Sequence, residues 1–268
     1  MFNLLHMDCR RLVKSRSFYI TLSVVAVLIV LVNLLSVTIS DPDFLDTMEA
    51  VGAEINEYDR QTSEFIRQMG QLDLAQEILG GGFLLLATGI GVTVFFSQDF
   101  TSGYVKNIGT VQPSRKRYVL EKVVFTGLYS GVLTVLSMLL TLGTPILVNF
   151  YPRPDSFLAI AQYTVFLWLP SWAFGLMALF MVLLSRNNVL GILMSLASGM
   201  GLTAALSQVL PYLLHLPSPS PYFLSSVVRD QCIPYLYPSQ MQMILLCSAG
   251  WGLAYFLGSL LVMEKRDI

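Results

Sequence analysis

The sequence predicts an all-α, polytopic integral membrane protein with six transmembrane helices in a single domain over residues 1–268, and three observations carry that reading. Apolar residues make up 54% of the chain and charged residues 12%, against roughly 25% charged in an ordinary soluble domain. The charges are also segregated. None occurs in residues 17–40, 78–98, 123–152, 156–185, 187–228 or 231–263, and each run exceeds the roughly 20 residues that cross a bilayer as a helix. The runs neither alternate like the strands of a membrane barrel nor bring charges back at the helical period of a soluble core.

Charge placement sets the orientation. With both termini on the inner side, the inner segments hold 12 of the 16 basic residues: Arg10, Arg11, Lys14, Arg16, Lys106, Arg115, Lys116, Arg117, Lys122, Arg186, Lys265 and Arg266. The opposite side holds Arg60, Arg67, Arg153 and Arg229 but 12 of the 17 acids. An excess of Lys and Arg at short connections marks the cytoplasmic face, so both termini are expected there.

Residues 1–17 form an amphipathic interfacial helix. Phe2, Leu5, Cys9, Leu12 and Val13 share one face, and Arg10, Arg11, Lys14 and Arg16 lie mostly on the others, which suits a helix lying in the membrane surface beside lipid phosphates. A solvated positive flank of the first span is the competing reading. The first apolar run, 18–38, is longer than a typical secretory signal core and lacks a small-residue cleavage site, so it reads as a retained span.

Residues 41–80 are a polar, external helical insertion. Met48, Val51, Ile55, Tyr58, Thr62, Phe65, Met69, Leu72, Gln76 and Leu79 recur at spacings of three and four, a heptad-like stripe. Asp41-Pro42 is a start signal, residues 80–82 (Gly-Gly-Gly) a stop, and Gly52 and Gly70 are candidate breaks. The stripe suits packing on itself or on a second copy; an acidic surface helix without a partner fits equally well. The remaining spans are expected at 78–97, 123–148, 157–184, 189–214 and 241–263. Between the last two, residues 211–240 carry Pro211, Pro217, Pro219, Pro221, Pro234 and Pro238, which rules out one regular helix. This segment is an irregular external stretch, read either as short helices dipping into the interface or as a Pro-rich loop. In the third span, Gly127 and Gly131 allow close helix approach.

Several activities are excluded by missing motifs. No G-x-x-x-x-G-K-[ST] segment is present to cradle nucleotide phosphates. With His6 and His215 as the two histidines and no H-E-x-x-H, a zincin-type metal site lacks ligands. Ser198 and His215 suggest an intramembrane serine protease, but on one helix they stand about 25 Å apart at 1.5 Å per residue. The charge-free spans disfavour proton-coupled transport. Cys9, Cys232 and Cys247 fall in different regions and offer no disulfide framework. No catalytic residue, metal ligand or cofactor is expected in this chain, and no nucleic-acid partner.

The most informative segment is the cytoplasmic loop expected over 98–122. It carries Asp99, Gly103, Tyr104, Lys106 and Asn107, then Pro113, Ser114, Arg115, Lys116, Arg117 and Tyr118, then Glu121 and Lys122. The pattern acid-x-x-x-Gly-Tyr-x-Lys-Asn, followed by Pro-Ser-Arg and Tyr-x-x-x-Lys, resembles the corresponding loop of type-two permeases of ATP-binding-cassette (ABC) exporters. The basic amphipathic helix before the first span, the six spans and the irregular segment before the last are similar to that family too. The sequence-specific likeness is confined to about 1–18 and 99–122, and the 41–80 insertion is longer than the short outer connection of many such permeases.

That resemblance implies a non-enzymatic membrane subunit, paired with a second copy or a homologous permease, that rests its coupling loop on a separate ATPase subunit holding ATP and Mg. Asp99, Gly103, Tyr104, Lys106, Pro113, Ser114, Arg115, Lys116, Arg117, Tyr118 and Lys122 are the implied coupling residues. The long insertion resembles members that export or protect against peptides, which points to a hydrophobic or antimicrobial peptide or a drug-like amphiphile; no substrate-lining residue is assigned. The alternative is a non-transporting scaffold or sensor whose acidic outer helix binds a ligand. The orientation is directly testable: reporter fusions and protease protection should place residues 41–77 outside the cell, and an inside location would refute the six-span topology.

Overall fold

The computed structural model describes residues 2–103, 115–215, 217–233, 235 and 237–265. These are helical almost throughout. Twelve helices are α1 (Phe2–Lys14), α2 (Arg16–Ser40), α3 (Pro42–Ala50), α4 (Glu57–Gln68), α5 (Gln71–Leu79), α6 (Phe83–Thr101), α7 (Arg115–Leu147), α8 (Phe157–Ser185), α9 (Asn188–Gly199), α10 (Leu202–Leu206), α11 (Val209–Leu214) and α12 (Pro238–Lys265). Short turns of 3-10, α and π type fill residues 220–231.

Five helices, α2, α6, α7, α8 and α12, are long and apolar enough to cross a membrane. The fifth predicted span, 189–214, is not one helix. It breaks after Gly199 and resumes as Leu202–Leu214 bent by 69°, so that the pair counts as a sixth span only if taken together. Gly201 supplies the left-handed backbone (φ +75°) that ends α9 and starts α10, a conformation that side chains with a Cβ resist. The 25 Å separation of Ser198 and His215 rested on a straight helix and therefore does not hold, yet no hydrogen bond joins the two among the described residues.

The second and third spans also differ in extent from the expectation. Residues 80–82 separate α5 from α6, so the second span begins at Phe83 rather than at 78, and α7 starts at Arg115, eight residues ahead of the predicted 123.

The insertion forms helices, interrupted near both predicted glycines. Asp41 caps α3 by accepting the Asp43 N–H at 3.1 Å, with Pro42 in the first turn. Gly52 (φ +96°) turns the chain out of α3, and Asn56 and Asp59 form a reciprocal capping box on α4. Each break resets the helical phase, so the heptad-like stripe does not stay on one face. Met69, Leu72 and Leu79 are buried, whereas Val51, Tyr58 and Phe65 are exposed. Of the three helices, α5 is held most firmly. Its Leu72 N–H donates to Asp155 Oδ2 at 2.9 Å, Gln71 Oε1 accepts from the Asp155 N–H at 3.2 Å, and Tyr235 donates to the other Asp155 oxygen. Gln76 accepts from Tyr163 and donates to the Arg229 carbonyl, both at 2.8 Å.

The irregular segment before α12 packs inward rather than lying free. Leu224, Val227, Val228 and Cys232 are buried, and Gln76 clamps the backbone there.

The core lies around α6 and α8, whose most apolar stretches are each 67% buried, against 17% for α2 and 22% for α12. Hydropathy alone thus does not separate two roles, central struts and peripheral helices that present apolar side chains outward. Close approach is achieved with small residues, which let helix backbones come near one another. Along α7, Thr126, Ser130, Thr134, Ser137, Thr141 and Thr144 are all buried on one face. Thr126 and Thr134 donate back to the carbonyls of Lys122 and Ser130, each at 2.8 Å, so these hydroxyls are satisfied within their own helix. The Gly127 and Gly131 pair receives α8: Trp168 and Trp172 stack with centroids 5.4 Å apart and donate to the Gly127 and Val123 carbonyls at 3.0 Å.

A Cβ at Gly127 would sit 2.9 Å from the Trp172 ring, whereas one at Gly143 would meet nothing within 4 Å. Gly127→Val is therefore expected to destabilise the fold by about 1–3 kcal/mol, read as a lower thermal midpoint in detergent, while Gly143→Val leaves that midpoint in place. Equal midpoints would show that the tryptophan pair does not set the α7–α8 distance.

Candidate functional site

The charged residues at the end of the bundle that carries α1 do not all face solvent. Asp8 and Arg11 from α1, Asp99 from the last turn of α6, and Tyr118, Glu121 and Lys122 from the first turns of α7 converge on one point. Asp8, Asp99, Glu121 and Lys122 are each no more than 1% exposed. Lys122 Nζ bonds directly to Asp8 Oδ2 and lies 3.1 Å from Asp99 Oδ2 and 3.4 Å from Glu121 Oε2. Arg11 Nη1 reaches Asp99 Oδ1 at 2.5 Å and Asp8 Oδ1 at 3.8 Å, and the Tyr118 hydroxyl donates to Asp99 Oδ2 at 3.2 Å.

Local sequence places each member. On α1, Asp8 and Arg11 are three residues apart and share a face. Asp99 comes just after the charge-free run of α6, and Lys122 just before that of α7, so both reach the same level when the two helices pack antiparallel. The floor is aromatic. The Arg11 guanidinium sits 4.3 Å from the centroid of Phe95, and Lys122 Nζ lies 5.0 Å from Phe96 and 4.9 Å from Tyr118, distances at which a ring face attracts a cation. Phe125 stacks on Phe95 at 4.8 Å and closes the shelf.

Taking charges out of water costs several kcal/mol per ion unless partners replace the lost solvation. Here Asp8 and Asp99 each touch both cations. The third carboxylate is different: no hydrogen-bond donor reaches either Glu121 oxygen among the described residues, and the Lys122 ammonium is its one ion-pair partner there. With three carboxylates against two cations, Glu121 is the strained member.

The cluster redistributes the residues expected to dock a soluble partner. Asp99, Tyr118 and Lys122 are internal and join helices to one another, which corrects their placement on a surface loop. Arg11, expected at the lipid phosphates, is turned inward, while Arg10, Lys14 and Arg16 are exposed. The expected 98–122 loop is helical at both ends, through Thr101 and from Arg115. Arg115 donates to the Met263 and Glu264 carbonyls at 3.0 and 3.2 Å and Lys116 pairs with Glu264 at 3.1 Å, both tying α7 to the end of α12. Arg117 is exposed, and Gly103 takes a left-handed conformation (φ +70°) just past α6. Tyr104, Lys106, Pro113 and Ser114 lie outside the described residues.

Sequence reasoning missed Asp8, the only acid among the first 40 residues. Its signal was its position three residues before Arg11 on an otherwise basic helix. The thiol of Cys9 beside it is raised above its ordinary value, first by burial and then by the Asp8 and Glu121 carboxylates, and burial pushes Cys232 up to about 12. Both are protonated thiols at neutral pH, without the thiolate that a nucleophile needs. No group of three or more His, Cys, Asp or Glu is arranged for a metal ion among the described residues. The arrangement locks three helices together.

No protein-family model matches this sequence, and no curated protein matches it.

Lys122→Met would leave the buried carboxylates of Asp8, Asp99 and Glu121 with Arg11 as the one cation remaining in the cluster and is expected to destabilise the protein by about 3–5 kcal/mol. Glu121→Gln removes the carboxylate that no hydrogen bond holds, and stability should stay level or rise. Thermal unfolding in detergent, together with the rate at which trypsin releases the first 16 residues, checks both. A stable Lys122→Met with α1 still protected would mean that the cluster does not hold that helix.

Proposed function

We propose that the chain is the membrane-spanning permease subunit of a bacterial ABC exporter. It works with a separate nucleotide-binding ATPase, which supplies ATP and Mg, and with a second copy of itself or a homologous permease. Both termini are cytoplasmic, and the cargo is a hydrophobic or antimicrobial peptide or a drug-like amphiphile carried out of the cell. The observation that carries this reading is the buried cluster joining α1 to the two helices that flank residues 102–114. A partner pressing on that connection or on α1 would move α1, α6 and α7 as one body, which is what rigid-body alternation of access requires. The loop resemblance supports the identity of the partner; the cluster supports the transmission.

Lys116 and Arg117 are the exposed basic residues beside the connection, and they offer the partner a positive edge. A second reading, a non-transporting scaffold or sensor, draws on the exposed Val51, Tyr58 and Phe65 in the acidic outer segment around α3 and α4. The ATPase separates the two.

Purified from its native membrane, the chain should bring down an ATPase subunit, and the chain by itself should hydrolyse no ATP, since it has no phosphate-binding loop. Intrinsic hydrolysis by the pure chain, or a native complex without any ATPase, would defeat the reading. Replacing Lys116 and Arg117 by Gln while keeping Arg115 leaves the α12 clip of Arg115 intact. Each exposed ion pair is worth about 0–1 kcal/mol, so a several-fold loss of ATPase co-purification and of export is expected, with unchanged membrane insertion.

A further inference from the structure

The ion cluster contains one more acid than its cations neutralise. Three carboxyl groups, Asp8, Asp99 and Glu121, meet two cations, Arg11 and Lys122, and all but Arg11 are no more than 1% exposed. Asp99 is the best provided of the three, with Arg11, Lys122 and the Tyr118 hydroxyl around it. The excess charge therefore falls on Asp8 and Glu121.

Among the described residues, neither oxygen of Glu121 receives a hydrogen bond, and neither does Asp8 Oδ1, which stands 3.8 Å from Arg11 Nη1. Buried acceptors without a donor are unfavourable. The two side chains are neighbours: both close on the Lys122 ammonium, and Asp8 is within hydrogen-bonding reach of Glu121. Two ionised carboxylates at such range repel, and one proton between them removes the repulsion. That proton turns one oxygen of the pair into a donor and leaves two negative charges against two positive ones. The surrounding groups do not replace it. The Cys9 thiol donates to none of these three oxygens, and the Tyr118 hydroxyl is committed to Asp99. Arg115 and Lys116 engage the end of α12, and Arg10, Lys14, Arg16 and Arg186 are exposed.

We propose that Glu121 is held as a neutral carboxylic acid whose O–H donates to Asp8, and that this bond makes the lock on α1 sensitive to pH. Glu121 stands just ahead of the charge-free run that begins at residue 123, near the end of the bundle and not in its middle. Loss of its proton puts a third negative charge beside two cations in a buried site. Departure of α1, which carries Asp8, relieves that repulsion. The lock is thus complete while Glu121 keeps its proton and weakens as rising pH removes it. This inference rests on the cluster alone and stands independently of the transport reading.

Infrared spectroscopy of the full chain in dodecyl maltoside, a detergent without a carbonyl of its own, reads the proton directly, because a neutral carboxyl has a C=O band apart from those of amides and carboxylates. At pH 7 the native chain should show such a band, shifted by ¹³C-labelled Glu and not by ¹³C-labelled Asp. The band should vanish in Glu121→Gln, and also in Asp8→Asn, where two carboxylates remain for two cations. Release of the first 16 residues by trypsin should accelerate several-fold between pH 7 and pH 9 when each rate is divided by that of Glu121→Gln at the same pH, which cancels the pH dependence of the protease. Absence of the band at pH 7, a band that shifts with labelled Asp, a band that survives in either folded variant, or a release ratio that does not change with pH overturns the proposal. If neither variant folds, the labelled native chain decides by the presence of the band and by which label moves it.

Discussion

The ion cluster of Asp8, Arg11, Asp99 and Lys122 is the constraint on which the arrangement at one end of this protein depends. Lys122 is almost fully buried, and an ammonium in that position is tolerable only while three carboxylates and two ring faces surround it. Those partners come from three separate helices, so none of the helices can leave without exposing a charge to an apolar interior. The amphipathic helix α1 is thereby a structural part of the bundle. Arg115 and Lys116 extend the same logic to α12 by binding its final turns, so the connection between α6 and α7 is framed by ties on both sides.

Away from that end, cohesion comes from close packing. The buried face of α7 consists of threonines and serines whose hydroxyls are in large part returned to their own backbone, and the two tryptophans of α8 rest in the notch made by Gly127 and Gly131. Small residues bring helices near enough for dispersion to act along their length. Glycine does the opposite work at 199–201, where it interrupts a helix. At 82 it lets the backbones of two segments touch.

The opposite end is organised around Asp155. Its carboxylate takes the first turn of α5 and Tyr235 at once, fastening the insertion and the irregular segment to the turn between α7 and α8. The helices before Gly70 have few such ties and keep Tyr58 and Phe65 exposed, which leaves α3 and α4 as the part of the molecule most available to another surface.

The all-helical class, the charge-free runs and the asymmetry of Lys and Arg were legible along the chain itself, because segregation of charge is a one-dimensional property that a bilayer reads one helix at a time. The start signal at Asp41-Pro42 and the breaks near Gly52 and Gly70 were local in the same sense. The fate of individual charges was not local. Asp99, Tyr118 and Lys122 read as the rim of a basic loop, like Lys116 and Arg117 beside them, and only the packing of α6, α7 and α1 decides which of these residues turn inward. Likewise the heptad-like spacing across 48–79 described a stripe that no continuous helix exists to carry, since the turn at Gly52 rotates α4 relative to α3. The run 189–214 had the length and hydropathy of a span, yet the contact of Gly199 with Gly82 belongs to two segments more than a hundred residues apart. Periodicity reports the face a helix would bury if it met a neighbour, whereas the partner, the register and the buried charge are settled where distant segments compete for the same space.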